Sequence, residues 1–160
     1  MGFCTPFFFL YISSMEKVTI QEKLIELGYE DIYAPKELDK AFIGLTENCL
    51  AVYDEDLIGT QVDDVVNDKI VIIKRNCEIP TEALLIGNAG EQADEYKKAI
   101  IGVSNNGRVV YDYDRLIEVF GSYNKWSSQE AIEWYEYNTL RSLPYYPNHP
   151  YVVTNIDYMM

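Results

Sequence analysis

Two stretches decide the fold: Glu37–Ile58, ELDKAFIGLTENCLAVYDEDLI, and Glu95–Leu116, EYKKAIIGVSNNGRVVYDYDRL. They align without a gap at an offset of 58, and ten of the 22 positions are identical. The identities are Glu37/Glu95, Lys40/Lys98, Ala41/Ala99, Ile43/Ile101, Gly44/Gly102, Asn48/Asn106, Val52/Val110, Tyr53/Tyr111, Asp54/Asp112 and Asp56/Asp114. Unrelated segments of this length share about one or two residues, so the chain is read as carrying an internal repeat.

Each copy predicts a β-hairpin. Ile100–Ser104 and Val109–Tyr113 are rich in β-formers and flank Asn106-Gly107, a pair that favours a type I′ turn. Such a turn needs positive φ at both central residues, which Asn tolerates and Gly prefers. The first copy has Asn48-Cys49 there. Cysteine gains nothing from positive φ, so that turn is expected to be wider or of another type. Two copies are too few for a solenoid. They predict an α+β fold with an antiparallel sheet of five or six strands, the hairpins side by side or facing each other.

Outward from the repeats, Lys69–Lys74 (KIVIIK) reads as a further strand, and Ala83–Gly87 as a strand or a helical turn. Three helices are expected. Thr19 and Glu22 have capping-box spacing before the apolar face of Leu24, Ile25 and Leu27, with Gly28 placed to end the helix. Arg115–Phe120 reads as a short helix capped by Asp114 and ended by Gly121. A longer one runs from about Gln129 to Ser142, opened by a second box at Ser127 and Glu130. Pro144 disfavours helix at Leu143, and Tyr151–Thr154 reads as an edge strand.

The chain has 160 residues, 13 basic and 26 acidic, for a net charge of −13. The acids are spread along it and form no tail. Such a protein is repelled by phosphate backbones, so direct nucleic-acid binding is disfavoured, whereas another protein with a basic surface is a natural partner. Cys4, Cys49 and Cys77 are too scattered for a disulfide framework or a metal knuckle. His149 is the only histidine and is read as structural or solvent-exposed. Nothing in the sequence calls for a cofactor, and a cytoplasmic location is expected.

Residues 3–12, FCTPFFFLYI, are apolar but shorter than the roughly 20 residues of a membrane-spanning helix. No Lys or Arg precedes Lys17, as a secretory signal would require. Residues 1–14 are therefore read as an extension ahead of a single domain over 15–160; the alternative is a short membrane anchor at 3–12.

From VYDYD to the LPY after the last long helix, the chain resembles a group of small uncharacterised proteins of bacteria and their phages. The matching residues are Val110, Tyr111, Asp112, Tyr113, Asp114, Trp134, Glu136, Tyr137, Asn138, Thr139, Arg141, Leu143, Pro144 and Tyr145. The resemblance spans roughly residues 99–145. It implies a bacterial or phage accessory protein and assigns no activity or site.

The residues support two chemical readings. Trp134, Tyr137, Asn138, Arg141 and Tyr145 are of the types that dominate protein interfaces, and Glu130, Glu133 and Glu136 flank them. These predict a non-enzymatic interaction module, which in a phage setting could inhibit a host protein. The alternative is a metal-dependent hydrolase using the doubled Asp-x-Asp: Asp54 with Asp56, and Asp112 with Asp114. Strand alternation would put each pair on one sheet face. Against that, Asp112 ends a strand and Asp114 is placed to cap the next helix.

Overall fold

The computed structural model describes residues 18–59, 61–87 and 90–156. Residues 1–14, including the apolar stretch 3–12, lie outside the described residues, as do Asn88 and Ala89. Six strands form: β1 (Phe42–Thr46), β2 (Ala51–Asp54), β3 (Val71–Lys74), β4 (Ile100–Ser104), β5 (Val109–Asp112) and β6 (Tyr151–Thr154). The described helices are α1 (Ile20–Glu26), α2 (Asp64–Asn67), α3 (Glu91–Tyr96), α4 (Tyr113–Asn124) and α5 (Ser128–Trp134).

The strands close into a barrel in chain order, with β6 returning to β1. Both hairpins are antiparallel, but β2 pairs with β3, and β5 with β6, in parallel. The expected open antiparallel sheet is thus a closed mixed barrel, surrounded by five α-helical segments instead of three. Parallel neighbours need a crossover, and the long segments after β2 and β5 provide one each. Tyr151–Thr154 is a strand but not an edge, because β1 and β5 take both of its sides. Ala83–Gly87 is neither strand nor helix. The two hairpins lie opposite each other, with β3 and β6 between them.

Strand alternation sorts the core into three clusters. Val52, Val71, Ile73, Val110, Tyr151 and Val153 fill the barrel, with Ile43 and Ile101 packed against them. Outside one half, Tyr53 and Ile72 pack against Leu24, Leu38 and Ile156. Outside the other, Tyr111, Val109 and Val152 pack against Leu116, Phe120, Ala131 and Tyr135.

The matched positions occupy like places in the two hairpins. β1 and β4 share one burial pattern and the same register shift ahead of Gly44 and Gly102. There the neighbouring strand passes too close for a side chain. A Cβ on Gly44 would run into Thr154 O, and one on Gly102 would lie 2.5 Å from Lys74 O. Tyr53 and Tyr111 are both fully buried.

The turns correct the expectation for the second copy and meet it for the first. Ser104 N donates to Arg108 O (2.8 Å) and Gly107 N to Ser104 O (2.9 Å); Thr46, Leu50 and Cys49 repeat the pattern at 2.9 Å each. Positive φ falls only on the third loop residue, Gly107 at 80° and Cys49 at 63°. Both are therefore three-residue loops with a bulge: Asn106-Gly107 does not make a type I′ turn, and the first turn is wider than one, as expected. The side chains select this loop. The hydroxyls of Thr46 and Ser104 accept from Leu50 N (2.9 Å) and Arg108 N (3.0 Å) and point at the Oδ1 of Asn48 and Asn106.

Asp112, not Asp114, caps α4, accepting from Arg115 N at 2.9 Å. α4 runs through Gly121 to Asn124 and stops at Lys125, which is left-handed at φ 60°. Gly121 serves packing instead of termination, since its Cβ would lie 3.0 Å from Trp126 O. Thr19 caps α1 through Glu22 N at 3.1 Å, and Gly28 follows at φ 98°.

Candidate functional site: a neutral cleft with a tyrosine rim

The segment after α5 builds one wall of a concave surface. Ser127 and Glu130 close their capping box at 3.2 and 3.1 Å, and Ala131 is fully buried, which fixes α5 against the barrel. The expected continuous helix to Ser142 then changes character: Tyr135–Leu140 winds as a π-helix. This wider turn lets neighbouring aromatic residues part. Tyr135 is buried, edge-on to Tyr113 at 5.4 Å, whereas Tyr137 is 68% exposed. Asn138 Nδ2 donates to Trp134 O at 3.2 Å, a side-chain bond that competes with the α-helical ladder. π-turns of this kind are frequent at functional sites.

Trp134 is partly buried, its ring 5.4 Å from Phe120 and 5.6 Å from Trp126. It forms one wall of a cleft of about 370 Å³ with Asn138, Ser142 and Tyr146. The facing wall is the irregular segment carrying Leu84 and Ile86. That wall is held by Ile86 N, which donates to the buried Tyr111 hydroxyl at 3.0 Å. Burial pushes this phenol up to about 12, so it stays protonated at neutral pH. No charged side chain lines the cleft among the described residues.

Tyr146 lines the cleft, and the segments that build it carry further exposed aromatic residues. Tyr145 is 85% exposed and Tyr146 49%. Arg141 lies over Tyr137, its guanidinium carbon 4.9 Å from the ring centroid, in a shallow depression shared with Glu133 and Glu136. Of the five residues expected from the sequence, Trp134 and Asn138 line the cleft, Tyr137 and Arg141 line the separate shallow depression, and Tyr145 is exposed outside both. Leu84, Ile86 and Tyr146 also line the cleft. Only Tyr146 had a sequence signal, as the second tyrosine of the LPYYP run.

The paired aspartates are elsewhere. β2 and β5 run away from the two hairpin turns and stand on opposite sides of the barrel, which separates Asp54 from Asp112. Asp54 accepts from Asp56 N at 3.0 Å and pairs with Arg75 Nε at 2.8 Å. Asp56 and Asp114 sit in the first turns of helices, so neither pair lies along one strand face. Among the described residues no three His, Cys, Asp or Glu side chains converge as metal ligands.

His149 is not solvent-exposed: its side chain is 15% accessible and faces Glu47, a residue with no signal in the sequence. Among the described residues no helix is long and apolar enough to cross a membrane. No protein-family model, curated protein or solved structure proved similar to this chain.

Proposed function

We propose that this protein is a non-enzymatic interaction module that grips another protein through the cleft and its tyrosine rim. One observation supports the reading above others: a chain of net charge −13 presents an uncharged concave site lined by Tyr146, with exposed Tyr137 and Tyr145 on the segments that build it. Tyrosine and tryptophan supply large contact area at low entropic cost and recur at interface hot spots. The partner places an apolar side chain in the cleft, and its basic surroundings meet Glu133 and Glu136. Long-range attraction between the acidic chain and a basic surface speeds encounter and weakens with salt. A nucleic-acid-handling protein fits this chemistry, and the resemblance to phage and bacterial accessory proteins suits a role as its inhibitor. Cys49 and Cys77 are exposed, unpaired thiols, which suits a reducing cytoplasm.

The test is crosslinking capture from source cells, comparing wild type with Tyr137→Ala/Tyr145→Ala. Both side chains are largely exposed, so thermal stability should hold while recovery of a specific partner falls about tenfold or more. Equal recovery by both forms, or nothing above background, overturns the reading.

A further inference from the structure

A cluster of buried ionisable groups lies at the barrel mouth. β1 and β4 run in the same direction, so both hairpin turns stand at this end, and β6 starts there. Glu47, from the first turn, reaches across to β6, where its Oε2 accepts from Val152 N at 2.7 Å. Its side chain is only 8% accessible. Glu47 Oε1 is buried without a hydrogen-bond partner among the described residues, 3.5 Å from His149 Nδ1. The same Nδ1 lies 2.9 Å from Pro150 O. Two oxygen acceptors around Nδ1 favour a hydrogen on that nitrogen.

Arg108, from the second turn, completes the arrangement. Its Nη2 donates to Pro147 O at 3.0 Å, and its guanidinium lies 5.1 Å over the Tyr151 ring. Asn106 Nδ2 reaches the Tyr151 hydroxyl at 3.3 Å, and His149 packs edge-on to Tyr151. The two turns therefore each send one side chain to the same short loop, 146–150. That loop begins at Tyr146, on the rim of the cleft, and ends at β6.

We propose that Glu47 and His149 form a proton-operated latch that sets how firmly the 146–150 loop is held to the barrel. Without an added proton, the pair leaves a buried carboxylate oxygen facing a neutral ring. Uptake of one proton by the pair either makes the ring cationic against the carboxylate or neutralises the acid, and both remove the uncompensated buried charge. Burial raises the Glu47 carboxyl above its usual range, more than the Val152 N–H bond and the charges of His149 and Arg108 lower it. A proton site raised in the folded state stabilises at low pH and loses that contribution as pH rises through it. Arg108 stays charged throughout, and Tyr135, whose hydroxyl is also raised by burial near Glu47, stays neutral. The groups that change are therefore Glu47 and His149 themselves. The latch tightens in acid and loosens toward alkaline pH. Its effect on partner capture rests on the function proposed above; the latch itself does not.

Amide hydrogen exchange over residues 146–152, corrected for intrinsic rates, reads the latch directly in the full chain. Protection should fall about fivefold between pH 5.5 and 8, the scale of one half-buried charge interaction. Glu47→Gln keeps an acceptor for Val152 N, and His149→Asn keeps a polar atom at the Nδ1 position; each should flatten the pH step in this loop while α4 and α5 exchange as before. A flat wild-type profile, or a step that survives in both variants, overturns the proposal. A pH step that is present while Tyr137→Ala/Tyr145→Ala leaves capture unchanged supports the latch and sinks only the interaction reading.

Discussion

Cys49 occupies the one place in the two hairpins where like backbones carry unlike conformational tolerance. At φ 63° its Cβ crowds the following carbonyl, a strain of about 1–2 kcal/mol that glycine escapes. Glycine also widens the unfolded ensemble, which removes about 0.4–1 kcal/mol of that gain. Cys49 is exposed, so little burial is lost. Cys49→Gly should therefore stabilise the protein by about 0.5–1 kcal/mol. Gly107 fills the same position at φ 80° with no atom within 4 Å of a built Cβ, so Gly107→Ala should cost a similar amount through backbone strain alone. Urea unfolding measures both: the midpoint should rise for Cys49→Gly and fall for Gly107→Ala at unchanged slope, with melting shifts of about 2–4 °C. If Cys49→Gly leaves the midpoint in place or lowers it, the three-residue loop with a left-handed third residue is the wrong description of the first turn.

Two further substitutions test the barrel. Gly102→Ala drives a methyl into Lys74 O, which is backbone and cannot swing aside, so calorimetry should show a loss of about 3 kcal/mol or failure to fold. Asp112→Ala removes only the α4 cap and should cost about 1 kcal/mol in the same assay. Asp54→Ala should cost more, about 2 kcal/mol, because it also breaks the Arg75 pair, and solvent around the 42% accessible Arg75 side chain limits the loss.

The π-helical turn and the cleft explain why the site was half visible. Trp134, Tyr137, Asn138, Arg141 and Tyr145 lie within twelve residues, and their types alone suggest contact with a partner. Leu84 and Ile86 come from an irregular segment about fifty residues earlier in the chain, and core packing of Ile86 with its hydrogen bond to Tyr111 brings them opposite Trp134. Glu47 and His149 lie about a hundred residues apart and carry no local pattern, so their contact exists only once β6 returns to β1.

Local chemistry fixed what is local. The repeated hydroxyl and asparagine set the loops, the aspartate ending each hairpin caps the helical turn beyond it, and short continuous apolar runs make strands buried on both faces. Tertiary structure alone decided that the sheet closes, that two of its pairings are parallel, and that Tyr151–Thr154 has no free edge. Hydrophobic period records which side of a strand is covered but not which strand lies beside it. That choice depends on how the crossovers pack, an interaction between segments that no window of sequence contains.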